Sequence, residues 1–505
     1  MILANIRRII FLIIFATRKS LSFRLMRNRF LLSFILFLSA MGAMAQENVE
    51  PLETIHQKFT FNMFNKVAES CDGQGIQNVT LSPLSAQIAV SMLQNGAAGN
   101  TLAQIREVMG TTAYTNQQVN EYNQQLVSKL TYRPPFEYNP YWGMSEEEAK
   151  EQFDTEYPIV ETANALWTKP HFIHVYDSYK DLLANYYDAE VDEVDFGTQE
   201  GVDAVNGWVD EKTHHLIPSV LEHPDDFILM MLVNALYFKG AWNTPFDSLA
   251  THKADFHQAD GKTVEVDMMK TELTCRSRTT EKFTTVTLPY GQTWDFSMTI
   301  FLPTYSQTFP QLTYEDWITA TDTNFVDTLQ ENESVGDQLP PRDLALQMPK
   351  FYIEGIYNLT DIFKAMGMVD AFSGNADFSL LSSDLSAISK IYQLGKIVVD
   401  EKGTEAAAVT VIQSDNSPHG ITYEDFIIDR PFYFTIESRK TNTILFVGRM
   451  KQIPGMAGSS TDIHGTPATP ALPVSPQLYD LAGRRLNGIP QKGIYIQNGR
   501  KFVVN

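Results

Sequence analysis

Residues 400–420 read DEKGTEAAAVTVIQSDNSPHG, and the two ends of this stretch ask for different structures. Thr404, Ala406, Ala407, Ala408, Val409, Thr410, Val411 and Ile412 are small or β-branched, with no proline among them. Such a run suits the inside of a sheet, where a proline would remove a ladder hydrogen bond. Alternation puts Thr404, Ala406, Ala408, Thr410 and Ile412 on one face and Glu405, Ala407, Val409 and Val411 on the other. The lone charge thus falls on the second face, at the entry end. From Gln413 the stretch turns polar and closes on Ser417-Pro418-His419-Gly420, which suits an exposed loop. Gly403, just ahead of the run, supplies the backbone freedom of a hinge. One segment is therefore written both as a strand and as a loop.

The rest of the chain is that of an ordinary globular protein. Its 505 residues are 44% apolar, 11% aromatic and 20% charged, enough for a large core. Residues 1–45 break this pattern with seven Lys/Arg and no Asp or Glu. From Met26, MRNRFLLSFILFLSAMGAMAQ has a basic start, an apolar run of about eleven residues and Ala43-Met44-Ala45 before Gln46. That is the form of a secretory signal cleaved near Ala45, and the apolar run is too short to favour a membrane span. Removing the seven positive charges takes the formal net charge from −21 to −28. So acidic a protein, without a basic stripe, is a poor partner for nucleic acid. Cys71 and Cys275 leave both a single disulfide and two free thiols open.

Helix and strand signals alternate along the body of the chain. Phe59, Phe61, Phe64 and Val67 recur at helical spacing, which predicts an amphipathic first helix. NVTLSPLSAQIAVSMLQNGAAGNT reads as a short β run, a break at Ser82-Pro83 and an apolar helix ending at Gly96. HVYDSYKDLLANYY reads as helix, and MLVNALYF and FDTEYPIVETANALW as strands. EKFTTVTLPYGQTWDFSMTIFLP has the form of a hairpin. Residues 133–155 and 331–343, rich in proline and acid and lacking periodicity, read as surface insertions. Residues 455–475 form a Gly/Ser/Thr/Pro linker, followed at 476–505 by three short β runs divided by glycine turns.

No catalytic constellation emerges. The sequence contains no G-x-S-x-G elbow, no H-E-x-x-H helix and no paired C-x-x-C. Gly261-Lys262-Thr263 ends like a phosphate loop, but position 256 is Phe where the cradle needs glycine. His214-His215 has no carboxylate or cysteine at metal-ligand spacing and reads as a polar helix end. No metal, cofactor or enzymatic activity is expected.

VVDEKGTEAAAVT, followed after a gap by DFIIDRPFYFTIESRKTNTILFVGRM, resembles the reactive-loop hinge and C-terminal signature of the serpin family. NVTLSPLSAQIAVSMLQNGAAGNT, ANALW, VNGWVDEKTHHLI, LVNALYFKGAWNTPF, LPY and MPKFYIEGIYNL follow in family order, so the resemblance covers roughly residues 55–454. It implies an α+β serpin fold over residues 46–454, with three β-sheets, about nine helices and an exposed reactive-centre loop. It also implies a monomer whose partner is a target protease. The protease cleaves the loop as a substrate and forms an acyl-enzyme. The loop then enters the central sheet as an extra strand and distorts the protease, so that stored strain does the work. On this resemblance Glu401, Gly403, Thr404, Glu405, Ala406, Ala407, Ala408, Val409 and Thr410 form the hinge. Ser82, Ser85 and Asn234 match the polar cluster beneath the central sheet, and Trp242 the aromatic at its top. Glu401 and Lys350 match a pair holding that opening, although a surface pair is worth only about 0–1 kcal/mol. The histidine usual in the lower cluster falls by count on Gln393, which hydrogen-bonds but does not titrate. The alternative that the resemblance leaves is a non-inhibitory serpin acting as a binding, carrier or chaperone-like protein; the all-small hinge discriminates, since non-inhibitory relatives often carry charged or bulky residues there.

Family loop spacing places the scissile bond near Asn416 to Pro418 when counted from Gly403, and near Gly420 when counted back from Arg430. Asn416–Ser417 is the first choice and His419–Gly420 the second, because proline after the cut disfavours Ser417–Pro418. No Lys or Arg lies between Gly403 and Asp429. Trypsin-like targets, which need a cation, are therefore disfavoured. An elastase-like or subtilisin-like protease fits better, and a papain-like cysteine protease stays open. QQVNEYNQQLVSKL at 117–130 holds one lysine, which argues against heparin. The close LYDLAGRRLNGIPQKGIYIQNGRKFVVN resembles the C-terminal sorting segments of exported Bacteroidetes proteins of the type IX kind. It implies a protein that is secreted, or held at the outer cell surface or in the periplasm, of a Gram-negative bacterium.

Overall fold

The computed structural model describes residues 49–141, 143–304, 309–321, 341–384, 387–404 and 422–453, with backbone at 478–479, 485–486, 493–497 and 500–504. The chain divides into two compact units, 1–455 and 456–505. In chain order the first unit runs α1 (Leu52–Gly73), β1 (Val79–Leu81), α2 (Pro83–Gly96), α3 (Gly99–Met109), α4 (Asn116–Leu130) and α5 (Glu146–Glu156). There follow β2 (Ile159–Thr168), α6 (Asp177–Tyr187), β3 (Ala189–Glu193), α7 (Gln199–Lys212), β4 (Met230–Ala241), β5 (Asp247–His257) and β6 (Thr263–Thr279). Then come β7 (Phe283–Tyr290), β8 (Phe296–Pro303), α8 (Tyr314–Thr321), β9 (Arg342–Pro349), β10 (Phe351–Asn358) and α9 (Thr360–Met366). β11 (Lys390–Val399), β12 (Gly403–Thr404), β13 (Glu424–Ile427), β14 (Phe432–Ser438) and β15 (Thr443–Met450) complete it. Nine α-helices are thus present among the described residues.

The strands form a six-stranded sheet, β10-β11-β12-β4-β2-β3, and a nine-stranded one, β1-β15-β14-β8-β7-β6-β9-β13 with β5 on β6. Three sheets are expected from the sequence. Two of them are continuous here because β6, 17 residues long, serves both. Its first part pairs with β5 and β9, and its end, Arg276–Thr279, pairs with β7. In the six-stranded sheet β2 and β4 are antiparallel from Ile159↔Lys239 to Thr168↔Met230, and β10 and β11 from Phe351↔Val399 to Asn358↔Tyr392.

α2 sits at the centre of the main core and is buried on every side. Ser82 caps it by accepting the Ser85 N–H at 3.3 Å, and Pro83 occupies the first turn, where no donor is needed. α7 covers the six-stranded sheet through Val202, Val205 and Val209, which pack with Met231 and Val233 of β4. On the other face, Gly395 of β11 meets β1 so closely that a Cβ there would lie 2.5 Å from the Thr80 carbonyl oxygen.

Three expectations change. Residues 133–155 are not irregular throughout, because α5 forms within them, and FDTEYPIVETANALW begins as helix rather than strand. Ser145 and Glu148 make a reciprocal capping box, and Ala149 and Phe153, one turn apart, supply the short apolar stripe. In the second unit β16 (Leu478–Tyr479), β17 (Arg485–Leu486), β18 (Gly493–Gln497) and β19 (Arg500–Val504) form a four-stranded sheet, one strand more than the glycine pattern indicates.

Candidate functional site

Asp400 turns the chain at the upper end of the six-stranded sheet. Its carboxylate accepts the N–H groups of Lys402 at 2.8 Å and Gly403 at 3.2 Å, and its own N–H donates to the Gly403 carbonyl at 3.0 Å. This is the aspartate-led turn that local side-chain acceptance favours. It folds β12 back between β11 and β4, with Thr404 opposite Val399 on one side and Gly240 on the other. Gly403 stands opposite Ala241, where a Cβ would lie 2.1 Å from the Gly240 carbonyl oxygen. Glycine is thus required here by close approach as well as by freedom. At the lower end β4 and β11 pair directly and in parallel, at Lys390↔Met231 and Ile391↔Leu232. Gly403 and Thr404 therefore occupy the start of a strand position between β4 and β11.

Thr404 is 1% exposed, and its hydroxyl lies 2.5 Å from that of Tyr290. Burial pushes the Tyr290 phenol well above its ordinary range, so it stays protonated. Trp242 stacks on Tyr290 at 4.4 Å and donates its indole N–H to the Asp400 carbonyl at 2.9 Å. Its backbone N–H donates to the Lys402 carbonyl at 2.8 Å. Glu401 accepts from Lys350 Nζ and from the Thr251 hydroxyl, each at 2.7 Å. Burial alone would raise its carboxyl, but these donors outweigh it and hold the pKa below the usual value. Glu401, Gly403, Thr404, Trp242 and Lys350 are thereby brought together.

Ser82, Ser85, Asn234 and Gln393 meet lower down, between α2 and the six-stranded sheet. The Ser85 hydroxyl donates to the Asn234 carbonyl at 3.3 Å, and Gln393 Nε2 donates to the Ser82 carbonyl. Asn234 Nδ2 donates to Asn164 Oδ1, and Asn164 Nδ2 to the Tyr187 carbonyl at 2.7 Å. Glu405, Ala406, Ala407, Ala408, Val409, Thr410, Asn416, Ser417, His419 and Gly420 lie outside the described residues.

Tyr290, Asp400, Thr251 and Asn164 are partners that the sequence reading assigns no role. Tyr290 and Asn164 stand inside LPY and ANALW, but only the fold shows what those blocks face. The remaining candidates resolve simply. His214 pairs with Glu161 and His215 with Asp210, each at 2.6 Å. Cys71 and Cys275 are free and buried, which pushes their thiols up to about 11 and about 12. Among the described residues no group of three or more His, Cys, Asp or Glu could hold a metal, and no helix is long and apolar enough to cross a membrane.

The six-stranded sheet thus holds a two-residue strand, Gly403–Thr404, between β4 and β11. Residues 54–453 match the family model described as Serpin (serine protease inhibitor), and the chain belongs to that family. Iripin-8 of Ixodes ricinus is 31% identical over 392 residues, 74% of this chain and 88% of the relative. Human neuroserpin is 28% identical over 440 residues, 85% of this chain and 98% of the relative. The solved complex of thyroxine-binding globulin with thyroxine shares the fold at TM-score 0.65 and 23% identity, over 79% of this chain and 99% of that one. The chain thus has the serpin fold, in a family made up largely of protease inhibitors.

Proposed function

We propose that this chain is an inhibitory serpin, exported from its cell, that traps a serine protease of elastase-like or subtilisin-like preference. The observation that carries this reading is the seat of Gly403 and Thr404 between β4 and β11, at the head of a small, proline-free run. In the trap the protease serine oxygen attacks the scissile carbonyl, and the peptide C–N bond breaks. The amine leaves on the C-terminal fragment, taking a proton from the protease's own acid. The acyl ester stays on the loop while residues 405–412 extend β12 downward between β4 and β11. Each residue entering gains ladder partners on both sides, and this gain opposes hydrolysis by dragging the protease out of shape.

The absence of Lys and Arg between Gly403 and Asp429 supports the target class. The basic and apolar leader supports export, and the 476–505 segment supports a sorting role at the outer surface. The test is a protease panel read by intact mass. Elastase or subtilisin should give a species equal to protease plus serpin minus the released C-terminal peptide, whose mass reads the cut at Asn416–Ser417 or His419–Gly420. Complete loop cleavage with all protease activity recovered would instead place the chain among carriers.

A further inference from the structure

The segment between α4 and β2 touches the hinge machinery from outside. Its aromatic side chains form a core of their own: Phe153 packs edge-on against Phe136 at 5.6 Å and tilted against Tyr157 at 4.8 Å, and Phe136 stacks on Tyr141 at 6.1 Å. Arg133 lies over the Phe153 ring and pairs with Asp154 at 2.6 Å. The Tyr141 hydroxyl donates to the Glu156 carboxylate at 2.8 Å. So ordered, α5 presents its last carbonyl to the hairpin turn of β7 and β8, where Gln292 N–H donates to Glu156 O at 3.0 Å. Gly291 makes room for that approach. It has φ +62°, and a Cβ would sit 2.4 Å from Glu156 O and 2.8 Å from Pro158 Cδ.

The same turn holds the upper end of β4. Gly291 N–H donates to the Ala241 carbonyl at 2.9 Å, and Asn243 Nδ2 donates to the Gly291 carbonyl at 2.8 Å. Ala241 is the partner of Gly403, and the neighbouring Tyr290 holds Thr404. β2 and β4 are joined along the whole length of β2, so they move as one when a strand enters beside β4. The Glu156–Gln292 bond ties the segment just before β2 to the nine-stranded sheet.

We propose that residues 133–157 are a brace that sets how readily the upper end of the central sheet opens, with Phe153, Tyr141 and Glu156 as positioning residues for entry of the hinge. This rests on the inhibitory reading for its purpose, but the test needs no protease. Hydrogen exchange is followed in the intact protein at the amides of Trp242 and Gly403, for the natural chain, Phe153→Ala and Phe153→Leu. The brace predicts roughly tenfold faster exchange at both amides in Phe153→Ala, with Phe153→Leu restoring most of the protection. Faster exchange confined to residues 133–157 would overturn the proposal. If Phe153→Ala does not fold, Tyr141→Phe, which keeps the ring and removes only the bond to Glu156, is read by the same criterion. A natural chain that traps no protease would sink the inhibitory reading and leave the exchange comparison intact.

Discussion

The hydroxyls of Tyr290 and Thr404 lie 2.5 Å apart, with both side chains sealed from solvent. One belongs to the nine-stranded sheet and the other to the short strand that opens the six-stranded one. The contact is made in the intact chain, so it steadies the seat of Thr404, and the proposed insertion would keep it. Tyr290→Phe would leave the Thr404 hydroxyl without this partner, at a cost of about 1–3 kcal/mol. Thermal melts should show intact and loop-cleaved protein lowered by similar amounts. A loss confined to the cleaved form would mean that the bond forms only on insertion.

Thr404→Arg places a long cation where a small side chain is 1% exposed. Burying an unpaired charge is prohibitive, so the hinge should leave its seat and the loop should be cut without capture. Gels of Thr404→Arg with elastase are expected to show cleaved serpin and free protease. Undiminished covalent complex would contradict the seating of Thr404 as the first inserted residue.

The Glu401 carboxyl titrates below its ordinary value of 4.5, against the raising effect of burial, because Lys350 and Thr251 donate to it. Its contribution to stability is complete above that value and is lost as pH falls through the lower folded-state pKa. Lys350 is 39% exposed, so the pair is worth on the order of 1 kcal/mol. Melting temperature against pH should flatten in this acidic window for Glu401→Gln, with little change near neutrality.

His56 in α1 is buried, and desolvation lowers its pKa from 6.5 to about 4. As pH falls below 6.5 the unfolded chain takes up a proton that the folded chain refuses. Stability should therefore drop between pH 6.5 and 4, by about 3 kcal/mol for the whole window. Denaturant titrations of His56→Phe should lack that component.

Gly395→Ala would push a methyl to 2.5 Å from the Thr80 carbonyl oxygen, a backbone atom that has little room to retreat. Overpacking of this kind costs about 1–3 kcal/mol. The variant should melt below the natural chain, and an unchanged melt would show that β11 and β1 can part freely.

Much of this was legible in the residues. Phe59, Phe61 and Phe64 lie buried in α1 as their spacing requires, and the Ser82-Pro83 break is the start of α2. Gly403 and Thr404 lead into a small, proline-free run, and a strand entering a sheet leaves that mark in composition. The aromatic Trp242 and the ion pair of Glu401 with Lys350 came from the family pattern rather than from spacing. Tyr290 and Asp400 act through partners more than a hundred residues away or through a turn, and neither leaves a periodic trace. α5 was hidden because three consecutive glutamates and nearby prolines mask a stripe of only Ala149 and Phe153. Its core is built from rings brought together by the chain's path, which one-dimensional periodicity does not record.

The central claim, that Gly403 and Thr404 begin a strand completed on cleavage, is tested most directly by comparing the melting of intact and loop-cleaved protein. Completion of the strand predicts that the cleaved form melts more than about 20 °C above the intact form, far beyond the few degrees of an ordinary 1 kcal/mol change. Equal melting temperatures, with the cut confirmed by mass, would contradict it.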